Sequence, residues 1–201
     1  MFTGIVQGVG TVRTIAARGG DVTVVFDTGQ VSLDDVAVGG SISVSGACLT
    51  ATQLAGSTFA ADVSRETLSL TTLGTWQPGT RVNIEKALLA GQPLGGHYVT
   101  GHVDAVGEVV SRLDDARSVR VVFRLPLVLA RYVARKGSIG IDGVSLTVNG
   151  AQADTFDVNL IPHTLEVTTL GELAPGRRVN LEVDIIARYL ERLVAESRNG
   201  S

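Results

Sequence analysis

The chain is one unit written twice. Displaced by 97 residues, positions 4–90 overlie positions 101–187 without a gap, and 33 of the 87 pairs are identical. Gly46-Ala47-Cys48-Leu49-Thr50 falls on Gly143-Val144-Ser145-Leu146-Thr147, Thr71-Thr72-Leu73-Gly74 falls on Thr168-Thr169-Leu170-Gly171, and Pro78-Gly79 falls on Pro175-Gly176. Identity held at constant register over such a length is the mark of internal duplication. The two halves must therefore share a fold. Each is too long for a solenoid repeat and suits a small domain, so the 201 residues divide into two like domains plus a remainder.

Within the unit the pattern is mostly extended. Val22-Thr23-Val24-Val25-Phe26 and its copy Val119-Arg120-Val121-Val122-Phe123 read as strands, and Ser41-Ile42-Ser43-Val44 and Arg81-Val82-Asn83-Ile84-Glu85 alternate with period two. Two short helical pieces interrupt each half. In the second half they span Pro126 to about Ala134 and residues 163–170, between Pro162 and Gly171. In the first half Ser64 opens the equivalent of the latter and Gly74 closes it. The 24 glycines, against a usual share of about 7%, fit short strands joined by tight turns. This pattern predicts a mainly β fold of two tandem six-stranded antiparallel Greek-key β-barrels, because closure removes exposed sheet edges, followed by a C-terminal α-helix. The expected boundaries are residues 1–97, 98–184 and 185–201.

The tail has no counterpart in the first half. Ile185, Ile186, Tyr189, Leu190, Leu193 and Val194 form one apolar stripe, with Arg188, Glu191 and Arg192 between them. Such a helix either packs on its own barrel or joins equivalent helices of other chains.

Composition excludes several function classes. Seventeen basic against twenty acidic residues give a net charge of −3 with no basic run, which argues against nucleic acid. One cysteine forms no internal disulfide and, with three histidines, builds no ordinary structural zinc site; a reducing cytoplasm fits. No stretch has the length of a membrane span, the start lacks the basic flank of a signal peptide, and no Gly-x-Gly-x-x-Gly or Walker loop occurs. No metal and no cofactor are expected.

Duplication makes unequal pairs informative. Ile5/His102, Cys48/Ser145, Asp62/Asn159, Glu66/His163 and Gly39/Lys136 differ in chemistry within matching surroundings. Taken singly, each has a bland reading: Cys48 as a small buried residue, Ser145 outside any nucleophile-elbow motif, and His97 and His102 wrongly spaced for ligands on one helix face. Taken together, they suit two similar pockets that treat two similar ligands differently.

Met1-Phe2-Thr3-Gly4-Ile5-Val6, Gly46–Thr50, Asp62-Val63-Ser64-Arg65-Glu66-Thr67, Gly95–Asp104, Lys136-Gly137-Ser138, Asp142–Thr147 and Asn159-Leu160-Ile161-Pro162-His163-Thr164 closely resemble the trimeric riboflavin synthase family. The resemblance implies a homotrimer assembled through the C-terminal helix. Its active site would lie between the N-barrel of one chain and the C-barrel of a neighbour. Two molecules of 6,7-dimethyl-8-ribityllumazine would dismutate there, without cofactor or metal, to riboflavin and 5-amino-6-ribitylamino-2,4-pyrimidinedione. It implies one substrate pocket of Gly4, Ile5, Val6, Ser41, Cys48, Leu49, Thr50, Asp62, Val63, Ser64, Arg65, Glu66 and Thr67. The other would be formed by Gly101, His102, Val103, Lys136, Ser138, Ser145, Leu146, Thr147, Asn159, Leu160, Ile161, Pro162, His163 and Thr164. On this reading His102 is a general base or proton relay, since imidazole titrates near neutral pH. Ser145 and Thr147 steady the donor anion, Cys48 acts at the acceptor, and Phe2 packs the leading segment over the site. The rival readings are a non-catalytic lumazine or flavin carrier of the same architecture, and a purely structural trimerisation module.

Overall fold

A computed structural model describes residues 1–199; Gly200 and Ser201, the end of the expected tail, lie outside the described residues. The first half contains β1 (Gly8–Arg18), β2 (Asp21–Asp27), β3 (Ser41–Val44), β4 (Ala47–Thr50), β5 (Gln53–Ala55), β6 (Thr58–Val63), α1 (Arg65–Leu70) and β7 (Arg81–Lys86). The second contains β8 (Ala105–Asp115), β9 (Ser118–Arg124), β10 (Ser138–Ile141), β11 (Val144–Ala151), β12 (Thr155–Leu160), α2 (Pro162–Val167) and β13 (Arg178–Val183), followed by α3 (Ile185–Asn199). None of the described helices is long and apolar enough to cross a membrane.

The second half is a closed antiparallel barrel in the order β10-β11-β12-β9-β8-β13. The first half repeats these neighbours as a seven-stranded open sheet, β4-β3-β7-β1-β2-β6-β5. The expected mainly β fold of two tandem antiparallel barrels stands, with the second barrel closed and the first a half-barrel. The reason is local. In β11 the ladder slips between Val148 and Gly150 but the strand continues. At the equivalent point of the first half the strand breaks between β4 and β5. The Ala51 amide bonds to the Gly40 carbonyl (2.9 Å) just as its copy Val148 bonds to Gly137 (2.9 Å), but the next amide, Thr52, turns to the Ala60 carbonyl (2.8 Å), and the chain itself joins β4 to β5.

The helical pieces are shorter than expected. A 3₁₀ turn at Leu127–Tyr132 follows Pro126, and each half splits its other helix in two. Thr71 and Thr168 stand in extended conformation after α1 and α2, and each hydroxyl accepts an amide that starts a separate 3₁₀ turn, Thr72–Thr75 and Thr169–Glu172. That capping bond ends one helix and begins another.

Each half buries its own core. Phe26 stacks on Phe59 with ring centroids 5.1 Å apart, and their copies Phe123 and Phe156 stack at 5.4 Å. Around them lie Ile42 and Ile84 in one half and Ile139 and Leu181 in the other, all fully buried.

The halves meet about a local twofold axis, visible as pairs of matching bonds whose partners are related by the 97-residue shift. The Asn83 side-chain amide donates to the Asp142 carbonyl, and that of Asn180 to the Ser45 carbonyl, both at 2.8 Å. In return, Asn83 Oδ1 accepts the Thr169 amide (2.8 Å) and Asn180 Oδ1 that of Thr72 (2.7 Å). At the centre, two hairpin turns touch tip to tip. Ser45-Gly46 (φ 44°, 85°) and Asp142-Gly143 (φ 45°, 80°) have the doubly positive φ of type I′ turns. A Cβ on Gly46 would stand 2.8 Å from the Gly143 nitrogen, and the reverse holds equally.

At the hairpin tips Asp142 is ionisable where its counterpart is Ser45. Both side chains accept the backbone amide of the facing asparagine: Asn180 to Asp142 Oδ1 at 2.8 Å, Asn83 to Ser45 Oγ at 3.1 Å. Burial pushes the Asp142 carboxyl up to about 7, against the Asn180 bond and the Arg177 charge. A raised carboxyl stabilises the fold fully below the unfolded value, near 4. That contribution is lost as pH rises through the folded value, near 7. Asp142→Asn keeps an acceptor for Asn180 and removes the titration. Its thermal midpoint should exceed that of the parent chain at pH 8, by at most about 4 kcal/mol of stability, with the gap closing by pH 4. Parallel melting curves across that range check this; a gap that does not vary with pH would refute it.

Candidate functional site

The segments that precede the two halves pair with one another. The Phe2 amide donates to the Val99 carbonyl (2.7 Å) and the Val99 amide returns a bond to Phe2 (3.2 Å). Phe2 and Val99 are fully buried. Because this pairing is antiparallel across the local twofold, each segment runs past the axis onto the other half. The Cys48 amide donates to the Gly101 carbonyl, and the Ser145 amide to the Gly4 carbonyl, both at 2.8 Å. Val103 packs on the core of the first half and Val6 on that of the second.

The leading segments are thus exchanged between the halves. Gly101, His102 and Val103 complete the pocket of Cys48, and Gly4, Ile5 and Val6 flank Ser145. The cause is a tertiary pairing that a repeat alignment, which compares a residue with its copy and not with its neighbour, does not carry.

The first pocket is a cavity of about 210 Å³ in which Cys48, Glu66, Thr67 and Leu70 face Gly101, His102 and Val103. Its α1 wall is set by Ser64, whose hydroxyl accepts the Thr67 amide at 3.2 Å. His102 is exposed, and a further hollow of about 310 Å³ lies on its other side, lined by Thr100, Asp104, Glu182 and Arg188 among others. Ser41 stands opposite Thr50 in the ladder at the pocket's edge, as Ser138 stands opposite Thr147 in the second half.

On the Ser145 side the structure adds His97. Its Nδ1 lies 2.7 Å from Ser145 Oγ. Burial pushes its imidazole below the ordinary value, opposed by the carboxylates of Asp184 and Glu182, which favours the neutral ring. Its Nε2 is the buried side-chain polar atom that lacks a partner among the described residues. Position 97 has no copy in the first half, because its equivalent would precede Met1. Comparison of the repeats therefore passed over it. The two sides differ accordingly: Cys48 shares a cavity with His102, whereas Ser145 is bonded to His97.

Other expected site residues are placed differently. Leu49, Val63, Leu146 and Leu160 are core residues, exposed by 4, 1, 9 and 0%, so a ligand meets at most their backbone. Asp62 is exposed on β6 and accepts the Thr23 hydroxyl at 2.6 Å, while Asn159 on β12 reaches Asp115 at 3.4 Å. Arg65 lines a separate apolar hollow with Ile15, Leu68 and Trp76. Ile161, Pro162 and His163 are exposed at the start of α2, with Thr164 half-buried.

Lys136 has φ 69°, a left-handed conformation that its copy Gly39 adopts freely at φ 90°. Its amide bonds to the Val148 carbonyl at 2.8 Å, next to Thr147. Keeping a lysine there costs about 1–2 kcal/mol, and strain of this kind gathers at functional sites. Lys136→Gly should raise stability by about 1 kcal/mol while weakening ligand binding. Denaturant unfolding and a ligand titration measure the two effects; a variant that gains stability and binds as before would sink the functional half of the prediction.

The fold defines a protein of two like β-barrel units in tandem, with a small-ligand cavity at the Cys48 hairpin. A family model described as the lumazine binding domain matches residues 3–87 and again 100–184. The riboflavin synthase of Mycobacterium tuberculosis is 48% identical over 200 residues, covering 96% of this chain and 98% of that protein. That of Bacillus subtilis is 37% identical over 194 residues, covering 96% and 90%. Among solved structures, LumP complexed with riboflavin superposes with a TM-score of 0.82 at 29% identity, covering 91% of this chain and 99% of that one. LumP complexed with 6,7-dimethyl-8-(1′-D-ribityl) lumazine gives 0.81 at 26% identity and the same coverage. The chain belongs to the riboflavin synthase family.

Proposed function

We propose that the chain catalyses the dismutation of two molecules of 6,7-dimethyl-8-ribityllumazine to riboflavin and 5-amino-6-ribitylamino-2,4-pyrimidinedione, acting in the cytoplasm as a homotrimer. The observation that carries this reading is a pair of matched hairpins on one duplicated scaffold that hold unequal groups. The β3–β4 hairpin places Cys48 in one cavity with His102, and the equivalent β10–β11 hairpin carries Ser145 bonded to His97. Two copies of one heterocycle bound to a matched scaffold, with different groups at the reacting edges, take donor and acceptor roles.

The C7 methyl of the lumazine is acidic because its anion delocalises into the ring. The exposed His102 takes or relays that proton, and the Cys48 thiol lies in the same pocket. Neutral His97 holds the Ser145 hydroxyl in place, so that Ser145 hydrogen-bonds the other ring. The four-carbon unit then passes between stacked rings, and the required gain comes mainly from holding them face to face, worth about 7–11 kcal/mol in effective molarity. Apolar side chains stand uncovered on this face, with Ile5 51% exposed and Ile161 56%. A neighbouring chain's opposite barrel would cover them and bring the second ring.

Helix α3 supports the assembly. Its polar edge docks on its own barrel, where Arg188 pairs with Asp104, Glu191 meets Arg131 and Tyr132, and the Arg188 guanidinium lies 5.6 Å from the Tyr132 ring centroid. Its apolar residues Ile186, Tyr189, Leu190, Leu193 and Val194 stay 49–67% exposed. An apolar stripe of that size needs a cover.

Incubating the pure protein with the lumazine alone tests the reaction. Riboflavin should accumulate at one per two lumazines consumed. Binding without product would make the chain a carrier, and neither binding nor product would remove both ligand readings. His102→Gln should lower turnover at saturating substrate at least about tenfold; undiminished turnover would remove the relay role.

A further inference from the structure

We infer that Glu85 and Glu182 are positioning residues, each governing the pocket of the half opposite to its own. The inference rests on the pocket assignment above. Glu85 on β7 is buried, 3% exposed. Its carboxylate accepts the Thr3 amide and hydroxyl, both at 2.7 Å, and the Gly4 amide at 3.0 Å. Glu182 on β13, 5% exposed, does the same for the Thr100 amide (2.6 Å), the Thr100 hydroxyl (2.8 Å) and the Gly101 amide (2.9 Å). Three donors converging on one buried carboxylate make strong, charge-assisted bonds that fix the path of the backbone they grip.

What each carboxylate grips is a segment of its own half that lies on the other half. The Gly101 carbonyl receives the Cys48 amide at 2.8 Å, and His102 and Val103 follow at once as walls of the Cys48 cavity. The Gly4 carbonyl receives the Ser145 amide at the same distance, and Ile5 follows. The hydroxyls extend the grip by one residue: Thr100 Oγ1 also accepts the His102 amide (3.3 Å), and Thr3 Oγ1 accepts the Ile5 amide (3.0 Å). Glu182, rooted in the second half, therefore sets where His102 stands against Cys48. Glu85, rooted in the first half, sets where Ile5 stands against Ser145. The Glu182 carboxylate is not itself a wall of the Cys48 cavity, and the segments that cross the local twofold carry each grip to the opposite hairpin.

The lone cysteine is a built-in reporter, because a thiol reagent reads the first pocket alone. Labelling of Cys48 by a small disulfide reagent is followed in the full-length native chain, in parallel with its thermal midpoint. Glu182→Gln should speed labelling about tenfold, as losing charge-assisted bonds frees the strand that covers Cys48. Glu85→Gln, although in the same half as Cys48, should change it less than about twofold. Equal effects of the two variants, or an effect of Glu85→Gln alone, would overturn the inference. The milder pair Thr100→Val and Thr3→Val keeps the carboxylates and their backbone bonds. It should show the same selectivity at smaller size, and it replaces the first pair if those variants fail to fold. Loss of stability without selective labelling would mean a structural role only, which also overturns the inference. The readout needs no turnover, so a chain that makes no riboflavin yet shows the crosswise pattern would sink the enzymatic reading and leave this one standing.

Discussion

A chain ending at Asp184 is expected to be a monomer that keeps both halves folded and loses at least about a hundredfold in riboflavin formation. Five apolar side chains of α3 stand 49–67% exposed, whereas the helix meets its own barrel through Arg188, Glu191 and a ring contact. Covering a large apolar side chain contributes about 1.5–3 kcal/mol. Five per helix, counted over several helices, offset an association cost of about 4–15 kcal/mol. The ion pairs at the polar edge are exposed and contribute little by comparison. Without the helix, the opposite barrel of a neighbour no longer closes the pockets, and the second ring loses its fixed position. Sedimentation, far-UV circular dichroism and the lumazine assay measure the three parts. A truncated chain that remains a trimer of unchanged stability, or a monomer with full turnover, would refute the role of the helix.

The second large effect is expected at Gly101. It has φ 79°, and a Cβ there would lie 2.6 Å from the Cys48 Cβ and 2.9 Å from the Cys48 nitrogen. Backbone cannot swing aside as a flexible side chain can. Gly101→Ala must therefore break the 2.8 Å bond between the Cys48 amide and the Gly101 carbonyl and push His102 and Val103 out of the cavity. Left-handed strain and steric conflict together should cost at least about 3 kcal/mol, and turnover should fall by at least about a hundredfold. Gly4→Ala meets the Ser145 Cβ at 2.5 Å and should act alike. Gly79→Ala is the control, because Gly79 has φ 91° with nothing near its absent Cβ. It should cost only about 1–2 kcal/mol and leave turnover intact. Similar losses in all three variants would show that φ alone, and not closeness to Cys48 or Ser145, matters.

The strand pattern was legible because it is local. Val22–Phe26 and Val119–Phe123 lie within β2 and β9, and Ser41–Val44 is β3. The two-residue hairpins follow from Ser45-Gly46 and Asp142-Gly143, whose residues accept the positive φ that a type I′ turn demands. The unequal pair Cys48/Ser145 was also legible, since duplication places the two at matching points of matching hairpins. The break before β5 was not. Whether a bulge stays within one strand, as at Val148, or divides two, as at Thr52, depends on a few backbone bonds that leave no composition signal. Nor was the role of the α3 stripe. An apolar face predicts burial, but the contacts of Arg188 and Glu191 decide which side of the helix the barrel receives.

The amino-acid sequence by itself determined the duplication, the mainly β unit with its turns, the amphipathic tail and the family. Only the tertiary structure decided which leading segment completes which pocket, and so that His102 belongs with Cys48 and His97 with Ser145. The physical reason is one of range. Periodicity and turn chemistry act between residues a few positions apart and are written wherever they act. The bonds Phe2–Val99, Cys48–Gly101 and Ser145–Gly4 join residues distant in the chain across a local twofold. A repeat records that the two halves are alike, while the pairing about the axis follows only when the folded halves meet.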